Sequence, residues 1–218
     1  MYRVLKNGID RVLALLGLVV LSPLLLILIL AIKVDSKGPV LFRQKRVGIH
    51  KSHFHILKFR TMRIDTPKDT PTHLLENPEQ YITKVGKFLR KTSLDELPQI
   101  INILKGDMAI VGPRPALWNQ YDLIAERDKY GENDVLPGLT GWAQINGRDE
   151  LPIEVKARLD GEYVARMGFW MDFRCIFGTV VSVAKQEGVV EGGTGTLDRI
   201  GENSKEPYEI KDPGNERL

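Results

Sequence analysis

From Val12 to Ile32 the chain carries no charged side chain and is built almost wholly of Leu, Val, Ile and Ala. A run of about 21 such residues is long enough to cross a bilayer core as a helix. Ser22-Pro23 divides it near the middle. Proline has no N–H for the carbonyl of Val19 and pushes against that turn, so each half amounts to about 16 Å of helix. Neither half alone reaches across a hydrocarbon core of about 30 Å. The flanks point the same way. Arg3, Lys6 and Arg11 precede the run, and Lys33, Lys37, Arg43, Lys45 and Arg46 follow it. Positive charge on both sides suits a segment whose two ends face the cytoplasm. The favoured reading is a re-entrant helix-break-helix over 1–34 that dips into one leaflet and returns, with a kinked spanning helix as the alternative. A cleaved signal peptide fits less well, because the run exceeds a usual h-region and Leu30-Ala31-Ile32-Lys33 offers no small-x-small site.

Outside this segment, a charged, Gly-rich tail over 191–218 has too few apolar residues to pack and is expected to be mobile. That leaves roughly 155 residues, over 35–190, enough for one compact domain. The net charge of +3 is concentrated between Lys33 and Arg63, beside the apolar run. Such placement suits anionic headgroups or phosphorylated substrates, and no nucleic-acid motif is present. Cys175 is the single cysteine, which rules out an intrachain disulfide and a cysteine-based metal site. His50, His53 and His55 lack ligand spacing and read as surface residues.

Val40 to Arg46 and Phe54 to Met62 read as two strands around a Gly48 turn, with Phe54, Ile56 and Phe59 inward and Lys58 and Arg60 projecting from the same strand. Met108 to Val111 reads as a third, leading into Gly112-Pro113-Arg114-Pro115. Between them lies Ser93-Leu94-Asp95-Glu96-Leu97-Pro98-Gln99. Leu97, Ile100, Ile101 and Leu104 recur at helical spacing, and Gly106 stands where a left-handed C-terminal cap is wanted. Pro98 belongs in a first turn, which starts the helix near Leu94 or Asp95, while Ser93 and Glu96 also match a capping box. Both registers satisfy the rules.

Taken alone, Asp95 and Glu96 read most simply as caps that favour the positive end of a helix. Their neighbours add phosphate-binding parts: a helix N-terminus, an arginine held in a Pro-Arg-Pro turn, and carboxylates able to ligate Mg²⁺. Adjacent residues diverge by about 100° around a helix, so Asp95 and Glu96 need separate roles rather than a shared proton. Further on, Phe169, Trp170, Phe173, Ile176, Phe177, Val180, Val181 and Ala184 mark a helix with a broad apolar stripe. An interfacial position in the headgroup plane is slightly favoured over a core one. With the hairpin, that makes the fold class α+β and the protein monotopic: a re-entrant membrane helix, a small β-hairpin or sheet, a catalytic helix and interfacial amphipathic helices.

Phe42-Arg43-Gln44, Lys58-Phe59-Arg60-Thr61-Met62, Thr92 to Gln99, Leu104-Lys105-Gly106-Asp107-Met108, Gly112-Pro113-Arg114-Pro115 and Pro137 to Arg148 resemble, in order, the motifs of the bacterial sugar transferases, in particular the small monotopic polyprenyl-phosphate phosphoglycosyl transferases (PglC-like). The resemblance runs from about Arg3 to about Val183. It implies a membrane helix broken at Ser22-Pro23, an active site on the cytoplasmic face of the bacterial inner membrane, and a two-step transfer of sugar 1-phosphate from a UDP-sugar to a polyprenyl phosphate. By motif position, Asp95 would be the nucleophile and Glu96 would help hold Mg²⁺, with Asp95 beside it. Arg114, Lys58 and Arg60 would serve phosphate or substrate. Gln144, Asn146 and Arg148 fall in a motif assigned to nucleotide or substrate contacts, and Asp160 matches a family aspartate. After Asp160 the chain reads Gly161-Glu162-Tyr163 where many relatives carry bulkier residues, so sugar specificity does not transfer.

An ionised aspartate needs no activating base at neutral pH, and an aspartyl phosphate is a mixed anhydride, so each transfer exchanges one high-energy linkage for another. Two other readings remain open at this point: a membrane-bound glycosyltransferase that releases UDP, and a peripheral membrane scaffold without chemistry. The sugar, the pathway and homo-oligomer formation are left open.

Overall fold

The computed structural model describes residues 1–66, 78–147 and 151–185. The tail at 191–218 and Arg148 lie outside them. Helix α1 (Tyr2–Asp35) is followed by an antiparallel hairpin, β1 (Leu41–Val47) and β2 (His53–Phe59). Then come α2 (Lys84–Lys91), a 3₁₀ turn at Leu94–Glu96, α3 (Gln99–Lys105) and β3 (Ala109–Val111). The second half holds α4 (Tyr121–Asp128), β4 (Gly138–Thr140), α5 (Trp142–Ile145), α6 (Ile153–Ala165) and α7 (Phe169–Lys185). In the hairpin Leu41 pairs with Phe59 and Val47 with His53. Strands β3 and β4 form a separate parallel pair.

Helix α1 is one element of 34 residues with Pro23 inside it, where the sequence suggested two half-helices. The reason is local. Ser22 Oγ donates to the Val19 carbonyl at 2.7 Å, the group that Pro23 has no N–H to satisfy. By length and composition α1 is the one described helix able to cross a membrane, and little of it is buried. Both its ends nevertheless dock on the same body. Lys6, Asp10 and Ala14 are buried near its start, and Leu28 and Ile32 near its end. Ala14 packs with Phe54, Ile56, Ile100 and Ile103, while Leu28 and Ile32 pack with Phe59 and Leu89. Asp35 Oδ2 accepts the Val85 N–H at 3.1 Å, which caps α2.

The helix after the carboxylates starts later than the sequence suggested. Pro98 is the N-cap of α3, and Gly106 ends it in the left-handed conformation (φ 88°) that its lack of a Cβ allows. Ser93 caps nothing through its side chain. Buried on α3 are Gln99, Ile100, Asn102 and Ile103, with Leu97 and Leu104 only partly covered, because α1 and β2 both pack on this short helix. Asn102 works as a substitute strand. Its Oδ1 accepts the Leu57 N–H and its Nδ2 donates to the His55 carbonyl, both at 2.9 Å, satisfying the edge of β2 that β1 leaves open. His50, His53 and His55 are exposed, as their spacing implied.

Candidate active site

The hairpin, the 3₁₀ turn and the loop after β3 bring four charged side chains to one point. Ser93 adopts a left-handed conformation (φ 56°) that costs a non-glycine residue energy, and it turns the chain sharply from α2 into Leu94–Glu96. Lys58, next to the end of β2, reaches this turn: its Nζ lies 2.7 Å from Glu96 Oε1 and 3.9 Å from Asp95 Oδ2. Arg114 Nη2 approaches the same Glu96 oxygen at 3.2 Å. The loop bearing Arg114 is fixed to the second strand pair, since Gly112 N–H donates to the Thr140 carbonyl and Gly138 N–H to the Pro113 carbonyl, both at 2.9 Å. A Cβ on Gly138 would sit 2.1 Å from Gly112 N, so this crossing requires glycine.

The two carboxylates differ in kind. Burial pushes the Asp95 carboxyl up, helped by Glu96 and opposed by Lys58, Arg90 and Arg114. For Glu96 burial also opposes ionisation, but the Lys58 and Arg114 charges and hydrogen bonds outweigh it and hold the carboxyl well below the usual carboxylate range. Glu96 is therefore a fixed anion committed to two cations. Asp95 stands beside it with a more basic carboxylate.

These groups border a cavity of about 630 Å³. Lys58, Asp95, Glu96, Arg114 and Gln144 all line it. Gln144 Nε2 donates to the Leu139 carbonyl at 3.2 Å. Three further cations line it that the motif reading passed over: Lys84, Lys87 and Arg90 of α2. Their three-residue spacing puts them on one helical face, a signal visible in the sequence but easily taken for a solvated surface. From α7 come Ile176, Thr179, Val180 and Ser182.

Other expected site residues lie elsewhere. The Arg60 guanidinium donates to the Ser36 and Lys37 carbonyls at 2.8 and 2.6 Å, so it ties the exit of α1 to β2 instead of entering the cavity. Asn146 is exposed and donates from Nδ2 to the Trp142 carbonyl at 2.8 Å. Asp160 is buried and pairs with Arg127 at 2.9 Å, joining α6 to α4.

Arg127 also meets Glu132 at 3.0 Å, and all three side chains of this cluster are at least 95 % hidden. One guanidinium cannot neutralise two buried carboxylates. Burial, with Asp160 adding to it, pushes Glu132 up to about 9. An acid whose folded value is raised is destabilising once the unfolded chain can ionise, so stability is expected to decline from about pH 4.5 until pH passes about 9. Glu132→Gln is expected to flatten that decline in urea unfolding measured across the window, while Glu132→Asp is expected to keep it.

The donor set also bears on magnesium. Among the described residues no three His, Cys, Asp or Glu side chains gather into a metal cage. Two adjacent carboxylates, one of them with an oxygen already taken by cations, fit an ion that draws its remaining ligands from substrate phosphates and water, as Mg²⁺ commonly does.

A family model described as bacterial sugar transferase matches residues 1–186. The chain is 42% identical over 191 residues to a UDP-glucose:undecaprenyl-phosphate glucose-1-phosphate transferase of Escherichia coli (strain K12), covering 82% of this chain and 40% of that protein. It is 39% identical over 197 residues to an uncharacterized sugar transferase, EpsL, of Bacillus subtilis (strain 168), covering 90% of this chain and 96% of the relative. A UDP-N-acetylgalactosamine-undecaprenyl-phosphate N-acetylgalactosaminephosphotransferase of Aeromonas hydrophila is 35% identical over 188 residues, 84% of this chain and 44% of its own length. The chain thus spans about two fifths of the relatives whose names state a donor and nearly all of EpsL.

Proposed function

The chain belongs to the bacterial sugar transferase family, and on that footing we propose that it transfers a sugar 1-phosphate from a UDP-sugar to a polyprenyl phosphate such as undecaprenyl phosphate, giving polyprenyl-diphosphate-sugar and UMP. The observation that carries this reading is the unequal carboxylate pair in a cationic cavity: Glu96 engaged by Lys58 and Arg114, and Asp95 beside it. A diphosphate-bearing donor matches the cations, and the names of two relatives match the reaction.

In this reading an Asp95 oxygen attacks the sugar-linked phosphorus. The bond from that phosphorus to the bridging oxygen breaks, and UMP leaves with it. An aspartyl-phosphosugar remains. An oxygen of the lipid phosphate then attacks the same phosphorus, and the bond to Asp95 breaks to regenerate the carboxylate. Lys58 and Arg114 do two things: they hold Glu96 in place and they lower the repulsion between an anionic nucleophile and an anionic phosphorus. Lys84, Lys87 and Arg90 supply further positive charge along the wall for a second phosphate. Mg²⁺, held by Glu96 and Asp95, would neutralise diphosphate charge. Gln144, also in the cavity lining, orients donor or acceptor.

The same proposal places the protein monotopically on the cytoplasmic face of the bacterial inner membrane. Support comes from α1, whose two ends dock on one body, so a bilayer cannot separate them. Re-entry at Ser22-Pro23 and an interfacial α7 complete that arrangement. Incubating the full chain with a panel of UDP-sugars, Mg²⁺ and undecaprenyl phosphate is expected to release UMP with at least one donor. Release of UDP instead, with every active donor, would make the protein a simple glycosyltransferase and overturn the phosphosugar reaction.

A further inference from the structure

The cavity around Asp95 is lined by two unlike sets of side chains. One set is Lys58, Lys84, Lys87, Arg90 and Arg114. The part of the lining that comes from α5 and α7 includes the apolar Ile145, Ile176 and Val180. Ile176 and Val180 are 44% and 62% exposed although they line the cavity, so the cavity opens along α7. These two residues share a helical face with Phe169, Trp170, Phe173 and Phe177, all of them exposed, while Met171, Asp172 and Cys175 on the opposite face are buried. Along that face Trp170 meets Phe173 edge-on and Phe173 stacks on Phe177. An apolar track therefore leads from the phosphate site along α7, with the exposed Arg174 at its border beside Trp170 and Phe177. A Cβ at Gly178 would lie 2.7 Å from Ile145 Cδ1, so a larger residue there would make the Ile145 side chain shift.

We propose that the Ile145–Ile176–Val180 corner receives the first isoprenoid units of the lipid phosphate acceptor and that the rest of its tail runs out along the aromatic face of α7. The inference rests on the transfer reaction proposed above and adds where the acceptor lies. Charge complementarity selects the occupant: a molecule with an anionic head and an apolar tail leaving the same atom matches a cavity lined by both cations and apolar side chains. A nucleotide sugar has no apolar part to cover this corner. A long isoprenoid chain cannot be contained in about 630 Å³ together with a sugar phosphate, so it must leave the cavity.

Two measurements on the full chain in detergent test this. Val180→Ser and Ile176→Ser are each expected to raise KM for undecaprenyl phosphate about tenfold and to move KM for the UDP-sugar less than about twofold. Equal shifts in both constants, or none, would overturn the track. A polyprenyl phosphate with a photoreactive group in its first isoprenoid units is expected to label the tryptic peptide Cys175–Lys185, competitively with undecaprenyl phosphate. Label confined to α1, or competed equally by phospholipid, would mean that α7 only seats the protein on the bilayer, and the proposal would fall. Failure of the transfer reading shows separately, as no UMP from the unaltered chain with any donor. The labelling is read without donor and judges the track by itself.

Discussion

Asp95→Asn is expected to reduce UMP release by at least about a thousandfold while leaving the fold and membrane binding in place. The amide matches the carboxylate in size but cannot form the acyl phosphate. Burial already disfavours the charge on Asp95, so its removal is not expected to cost stability, and thermal unfolding should shift by no more than about 1 kcal/mol. Intact-mass spectrometry after incubation with donor alone is expected to find the sugar-phosphate adduct on the unaltered chain and none on the variant. Glu96→Gln is the informative companion. Glu96 holds Lys58 at 2.7 Å and Arg114 at 3.2 Å, so its loss should lower the rate by disordering the cations yet still permit slow adduct formation. An Asp95→Asn protein that turns over normally would return the carboxylates to a capping role and with it the scaffold reading.

Much of this site was legible before any coordinates, and the part that was not has physical causes. The hairpin around Gly48, the Gly106 cap and the strand leading into Arg114 are local events, set by residues within a few positions of each other. Asp95 and Glu96 were legible as a pair near a helix start, but the 3₁₀ turn that presents them depends on a left-handed Ser93 that no propensity announces. Arg60 and Asp160 show a different limit. A charged residue in a motif reads as functional, yet both are nearly buried and paired within the fold, and pairing across 24 or 33 residues has no local signature. Lys84, Lys87 and Arg90 show the converse, since a charge run reads as solvated surface until the cavity beside it is known. Single-helix packing of α1 likewise follows from contacts at both of its ends, which hydropathy cannot register.

Lys6→Met is expected to destabilise the protein by about 3–5 kcal/mol, the cost of leaving buried charges without their partner. The Lys6 ammonium is buried 3.0 Å from Asp10 and 3.0 Å from Asp172, joining the start of α1 to α7. Methionine fills similar space and supplies no charge, so two carboxylates would face each other with only the Tyr2 and Tyr163 hydroxyls and the Ile110 N–H as donors. For a chain of this size the midpoint of thermal unfolding should fall by roughly 10 °C. The effect is expected to reach the site as well. Asp10 Oδ2 accepts the Ile110 N–H at 3.1 Å and the Tyr163 hydroxyl lies 3.0 Å from the Val111 carbonyl, so this network grips β3 immediately before the loop that carries Arg114. A fall in turnover beyond the loss of folded protein would report that loosening. Adding Asp10→Asn and Asp172→Asn to Lys6→Met removes the unpaired charge and should recover most of the midpoint, because amides keep acceptors for the same N–H and O–H groups. If the triple variant is no more stable than Lys6→Met, the lysine contributes through packing alone and the anchoring of α1 to the arginine loop is not electrostatic.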